Sequence, residues 1–290
     1  MKKIIVLGHS SFVASHLPYE KVADYLIPDR RVIYHFLDRH QPEVIVNCAG
    51  CTGRPNIDFC EAHKLETYTA NVVIPLMLAG ICEERKVKFI HIGSGCIFMG
   101  QSPNTILVGP ALNDIPEVMA DLGWNEKDHA NPQSFYSKTK AAADLVLGDM
   151  PNVCALRIRM PVSGADNPRN LLSKITSYKQ VVETPNSITF MSDLKRAIDW
   201  VIEKDLHGIY NVCHTKSFTH SDFLNEYKKY FPSHTWESIT PEQLNNIVSS
   251  PRSNCIIDSS KLTTTGFQFE DAQKQMENCV REFAKAKLNI

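Results

Sequence analysis

Short runs rich in valine and isoleucine recur along the first half of the chain, at residues 3–7, 43–47 and 88–92, with a fourth at 153–158. Apolar runs of this length without polar alternation read as strands buried on both faces. Between them the spacing becomes helical. Residues 31–40 gather Val32, Ile33, Phe36 and Leu37 on one side behind Asp29 as an N-cap, and a second helical pattern covers 71–85. Strands alternating with helices predict right-handed βαβ units. The fold class is therefore α/β, a Rossmann-type parallel sheet with helices on both faces. Ligands bind beyond the carboxyl ends of the strands in such sheets, which directs attention to residues 8–11, 49–56, 93–98 and 160–162.

After Pro161 the texture changes to Pro, Asn and Ser punctuation, with isolated strand-like pieces at 187–190 and 208–212. This predicts a nucleotide-binding domain over 1–160 and a smaller substrate-binding domain over 161–290, with segments around 181–213 returning to the first. No internal repeat or low-complexity segment interrupts either part.

Composition narrows the picture by exclusion. The 290 residues carry 31 basic and 32 acidic side chains, a net charge of −1, so no broad field draws in a nucleic acid or an anionic membrane. An anionic ligand must be held by a few local groups. The longest uncharged, mostly apolar stretch, 71–82, is short for a bilayer and contains Pro75, and the apolar run behind Lys2 and Lys3 is short for a signal peptide. A cytoplasmic protein with no membrane partner is expected. Nine scattered cysteines, an odd number, suit free thiols. The Cys48-x-x-Cys51 pair does not open a helix as a redox motif would, and no metal-ligand spacing is present.

Candidate chemistry begins at Gly8-His-Ser-Ser11-Phe-Val-Ala14, where only the outer positions match a dinucleotide-binding loop. A tight turn at Gly8 and the backbone N–H groups of Ser10, Ser11 and Phe12 at a helix start can still cradle a pyrophosphate. Pro18 cuts that helix short. The stronger signal is Tyr136-Ser-Lys-Thr-Lys140, the single Y-x-x-x-K of the chain. A spacing of four puts both side chains on one helix face, where the ammonium is expected to lower the phenol's pKa and make it a proton donor or acceptor. Ser94, in Gly93-Ser-Gly-Cys96-Ile-Phe98, supplies a hydroxyl at the sheet's carboxyl edge.

These features resemble the extended short-chain dehydrogenase/reductases. The segments at 51–64, 95–98, 134–140, 157–161, 167–170 and 251–254 are more closely similar to the bifunctional UDP-4-keto-6-deoxy-glucose 3,5-epimerase/4-reductases of UDP-L-rhamnose synthesis. The resemblance implies that UDP-4-keto-6-deoxy-D-glucose, supplied by an upstream UDP-glucose 4,6-dehydratase, is epimerised and reduced in one site, by a homodimer. It implies Cys96 as the base and Lys174 as the matching acid, with Ser94, Tyr136 and Lys140 as the reductase set. NADPH is the implied cofactor and NADH the alternative, because Asp29 suits a ribose hydroxyl while Arg30 and Arg31 suit a 2′-phosphate. Ala49, Gly50 and Met160 join the cofactor side. On the substrate side stand Arg54, Asn56, Asn170 and the diphosphate clamps Arg169 and Arg252, with Asn71 bracing the loop. Alternatives are a dTDP- or GDP-linked substrate, or a non-catalytic NADP(H)-binding regulatory subunit.

Overall fold

The apolar runs form strands in the computed structural model, which describes residues 2–22, 28–107, 119–214 and 216–288. The main sheet contains β1 (Ile4–Leu7), β2 (Glu20–Lys21), β3 (Val44–Asn47), β4 (Lys88–Ser94), β5 (Val153–Ile158) and β6 (Gly208–Asn211). Their order across the sheet is β6-β5-β4-β3-β1-β2, and every neighbouring pair is parallel. The chain leaves β1 toward β2 on one side and toward β3 on the other. That reversal makes a switch point, where the loops after β1 and β3 part and leave a crevice.

Alternate residues of each strand feed two cores. Ile5, Leu7, Ile45 and Phe89 pack with Ile33 and Leu37 of α2 (Arg30–His40) and with Ala143 and Leu147 further along the chain. Val6, Val46, Ile90 and Leu156 pack on the opposite face with Phe12 and Leu17. The sheet is thus covered on both sides, which is why its strands carry continuous apolar runs. The helix after β1, α1 (Phe12–Ser15), is a single turn that ends before Pro18, as the sequence predicts. Asp29 caps α2 as predicted, accepting from the Arg31 N–H at 2.9 Å.

The helix expected over 71–85 begins earlier. After the short α3 (Asp58–Ala62), α4 runs from Lys64 to Glu84, with a π-helical turn at Thr69–Val73. By length and composition α4 could cross a membrane, but its Leu78, Ala79, Ile81 and Cys82 lie in the core against the sheet. Its apolar character is that of a core helix. Ser134 caps α5 (Phe135–Leu147), accepting from the Ser137 N–H at 3.1 Å.

Beyond β5, α6 (Leu171–Ile175) contributes Leu172 and Ile175 to a further cluster with Val162, Phe190, Phe223 and Phe283. The chain returns to the sheet through α7 (Met191–Glu203), whose Leu194, Ala197, Ile198 and Val201 join the first core, and through β6. The return is narrower than 181–213, because Val181, Ile188 and Phe190 pack in the further cluster.

Candidate active site

The crevice starts at Gly8. Its φ of +82° is left-handed, and a Cβ there would meet the Ala49 backbone nitrogen at 2.6 Å, so only glycine lets the loops after β1 and β3 approach this closely. The turn closes with the Ser11 N–H donating to the Gly8 carbonyl at 2.9 Å, and Ser11 Oγ accepts from Ala14 N–H at 3.1 Å. Ser10 lies exposed within this turn. Across the crevice, Asn47 Oδ1 accepts from the Ala49 N–H at 3.1 Å. At Gly50 a Cβ would stand 3.3 Å from Lys140 Nζ and 3.0 Å from Asn71 Oδ1, so the bare backbone leaves open the space above the lysine. Met160, at φ +41°, follows the carboxyl end of β5.

Phe12 is 4% exposed with its ring in the core, but its backbone N–H still opens α1 as expected. Two residues assigned to the cofactor are placed differently. Arg30 is held by Glu84 and Tyr34, and Arg31 by Asp29, as surface pairs. Arg30 leans on Glu84 of α4 and on Tyr34 of its own helix, and Arg31 on its helix's N-cap Asp29, which weakens their claim on a 2′-phosphate.

Tyr136, Lys140 and Ser94 converge where α5 crosses the end of β4. All three are buried, and the Tyr136 hydroxyl bonds Ser94. The sequence expectation of a lowered tyrosine pKa is overturned. Burial raises the phenol above its ordinary value, with nearby Cys96 acting in the same direction and the Ser94 bond opposing it. Burial also lowers Lys140 to about 8, against the pull of Asp144. A sealed site disfavours both charged forms, so the resting tyrosine is a proton donor.

Asn71 sits in the π turn of α4 and is completely buried. Its side chain accepts from the Cys51 N–H at 2.8 Å and donates to the Cys51 carbonyl at 2.9 Å and to Thr139 Oγ at 3.1 Å. With its amide so engaged it braces the loop after β3 and leaves no group for a substrate. Asn170 is likewise sealed, donating to the carbonyls of Ser163 at 2.7 Å and Ala165 at 2.6 Å. Asn56 caps a turn through Asp58 N–H, and Arg54 is exposed beside it.

Cys96 does not follow Ser94 along a strand. Gly95–Ile97 is a 3-10 turn, because β4 ends at Ser94, and the two residues meet through the Cys96 N–H donating to Ser94 Oγ at 3.2 Å. A Cβ at Gly95 would collide with Ile257 at 2.1 Å, so the turn is wedged beneath the C-terminal part of the chain. Arg159 Nη1 donates to Cys96 Sγ at 3.1 Å. Lys174, on α6, feels the charges of Arg169, Cys96 and Arg252, and burial lowers its pKa first, with Arg169 next and Cys96 opposing. Cys96 and Lys174 thus lie within electrostatic reach of each other.

Of the two arginines assigned to a diphosphate, Arg252 forms a bidentate pair with Asp58 at 2.7 and 2.9 Å and donates to the Ser250 carbonyl. Its fork is filled. Arg169 reaches across to the Thr52 hydroxyl and has no carboxylate partner among the described residues. Arg169 is thus tied to a hydroxyl where Arg252 is tied to a carboxylate.

Sequence reasoning missed Arg159, Thr52 and Thr139. The one available signal was Arg157-Ile-Arg159, an arginine pair at strand spacing that ends at the sheet's carboxyl edge. Burial pushes the Cys48 thiol up to about 12 despite the nearby Lys140.

Residues 14–285 match the family model described as the RmlD substrate binding domain. The bifunctional dTDP-4-dehydrorhamnose 3,5-epimerase/dTDP-4-dehydrorhamnose reductase of Arabidopsis thaliana is 39% identical over 241 residues, covering 82% of this chain and 76% of that protein. A trifunctional UDP-glucose 4,6-dehydratase/UDP-4-keto-6-deoxy-D-glucose 3,5-epimerase/UDP-4-keto-L-rhamnose-reductase of the same plant is 36% identical over 239 residues, covering 81% of this chain. The match spans only 34% of that longer protein. The crystal structure of the L780 UDP-rhamnose synthase from Acanthamoeba polyphaga mimivirus shares the fold with a TM-score of 0.85 at 25% identity, over 97% of this chain and 99% of that one.

Proposed function

From the membership of this chain in the RmlD substrate binding domain family, we propose that it completes rhamnose synthesis on a nucleotide sugar, converting UDP-4-keto-6-deoxy-D-glucose to UDP-β-L-rhamnose. The work divides into 3,5-epimerisation and NADPH-dependent reduction of the 4-keto group. One observation carries this reading: a second acid–base pair, Cys96 and Lys174, stands within electrostatic reach of a complete Ser94, Tyr136 and Lys140 set. A plain reductase needs only the latter.

In a 4-keto sugar the hydrogens on C3 and C5 lie alpha to the carbonyl. The Cys96 thiolate takes such a proton, the C–H electron pair moves toward the C4 oxygen, and the Lys174 ammonium returns a proton from the opposite face. Lys174 releases its proton the more readily because burial and Arg169 already disfavour its charge. Ser94 and Tyr136 hydrogen-bond the C4 oxygen as it gains charge. Gly8, Ala49 and Gly50 would hold the dinucleotide with Lys140, the two glycines because a Cβ at either would crowd the Ala49 backbone or the Lys140 ammonium. When bound, NADPH supplies the hydride that a 4-keto reduction requires. Tyr136, held in its protonated form by burial, gives its phenolic proton to the C4 oxygen, and Arg169 holds the diphosphate.

The chain acts in the cytoplasm, where its free thiols stay reduced, on the product of a UDP-glucose 4,6-dehydratase. It works as a homodimer. Support for the dimer comes from Leu65 and Tyr68 on α4 and Leu145 and Val146 on α5, all exposed.

The test is one incubation in D₂O with NADPH, run in parallel with the UDP- and dTDP-linked 4-keto-6-deoxy sugars. UDP-rhamnose carrying deuterium at C3 and C5 is the expected product. Faster turnover of the dTDP sugar would transfer the reading to that nucleotide, and an unlabelled reduced sugar would leave a reductase alone.

A further inference from the structure

We propose that Arg159 is a positioning residue that keeps Cys96 as a thiolate, so that the proton-abstracting half of the site is a guanidinium–thiolate pair. The proposal deepens, and rests on, the reading of Cys96 as the base. Its physical basis is the burial of a permanent charge. A guanidinium stays protonated at any physiological pH, so removing it from water requires either an anion or a full set of acceptors. Arg159 is 1% exposed, among the largest fully buried side chains of the protein. Its Nη2 donates to Asn186 Oδ1 and to the Ser253 carbonyl, its Nη1 donates to Cys96 Sγ at 3.1 Å, and its Nε has no acceptor. No Asp or Glu pairs with it among the described residues. Two positions earlier, Arg157 meets the same burial with a carboxylate, bonding Asp144 at 2.6 to 3.2 Å. Arg159 has been given a sulfur in that place.

Three thiols surround this guanidinium: Cys96, Cys213 and Cys255. Cys213 and Cys255 are sealed, and each turns its sulfur toward a backbone carbonyl, that of Arg157 at 4.0 Å and that of Gly95 at 3.7 Å. A sulfur facing a carbonyl donates, so both are thiols, and burial pushes Cys213 up to about 12. Cys96 Sγ instead receives an N–H from a cation, is only half-buried, and lies within electrostatic reach of Lys174. An acceptor sulfur against a buried cation is the arrangement that favours S⁻. On turnover a C–H bond breaks, an S–H bond forms and the electron pair moves to the sugar. Arg159 is then left beside a neutral thiol, a less favourable state that drives the proton onward to solvent.

The experiment uses iodoacetamide on the native protein without substrate, with the Cys96 peptide quantified by mass spectrometry. Wild type is compared with Arg159→Lys and Arg159→Met. At about neutral pH the Met variant should alkylate Cys96 roughly tenfold more slowly, the deficit shrinking as pH rises, while the Lys variant retains most of the rate. A merely structural role predicts the opposite sign, because replacing a packed guanidinium loosens access to the sulfur. An unchanged or faster rate in the Met variant overturns the proposal. Should that variant not fold, the wild-type profile decides: a Cys96 rate that falls on acidification alongside that of free cysteine overturns the pair, and one that persists to lower pH supports it. Failure of the functional reading is distinguishable, since intact thiolate reactivity with no deuterium entering C3 or C5 would retire epimerisation and leave the pair standing.

Discussion

At the scale of single residues, the proposed function assigns two chemistries to one carbonyl. Tyr136→Phe removes the proton donor for reduction, so steady-state turnover should fall by about 10²- to 10⁴-fold while deuterium exchange into the substrate persists in part. Cys96→Ala and Lys174→Ala should do the reverse, suppressing exchange by a similar factor while reduction of an already epimerised sugar continues. NMR of the recovered sugar checks both, and parallel losses in all three variants would contradict the division. Much of this constellation was legible, because Tyr136-x-x-x-Lys140 and Gly-Ser94-Gly-Cys96 are local patterns. What escaped was long-range. Arg252 and Asp58 are 194 positions apart, and only the fold shows that the one fills the other's fork. The sign of the Tyr136 shift also escaped, since a sequence shows the neighbouring charge and hides the burial that outweighs it.

At the scale of elements, the π turn of α4 brings one side chain to both the loop after β3 and α5. Asn71→Ala would leave the Cys51 N–H and carbonyl without their partner, at a cost of about 1 to 3 kcal/mol for each group that water cannot reach. A thermal melt should show a drop of several degrees, with kcat falling further than stability alone explains because the loop after β3 loses its brace. An unchanged melting temperature would mean that the loop is held by other means. Strands β1, β3, β4 and β5 were readable because burial on both faces requires unbroken apolar runs. The two residues of β2 carry no such run, and the first turns of α4, Lys-Leu-Glu-Thr-Tyr, mix polar and apolar positions too evenly to reveal a stripe.

For the whole molecule, two properties follow. Both ring nitrogens of His220 are buried without partners, and burial lowers its pKa from 6.5 to about 4. The folded-state value lies below the unfolded one, so the neutral ring contributes stability in full above about pH 6.5, and that contribution is lost as pH falls toward 4. The loss is on the order of 3 kcal/mol. Urea titrations at several pH values should show wild type weakening across this window and His220→Gln weakening less; coincident curves would point to His91, which burial also lowers. The second property is assembly. Leu145→Glu places a charge on an exposed apolar helix position and should shift a dimer toward monomer in sedimentation, with the fold intact by circular dichroism. The return of β6 to the sheet has a bearing on engineering. A cut after Ile158 would strip β5 of its outer neighbour and bare a row of main-chain donors and acceptors to any passing strand. The two halves therefore cannot be traded between relatives as interchangeable cassettes. New sugar specificity has to be grafted loop by loop onto a chain kept whole.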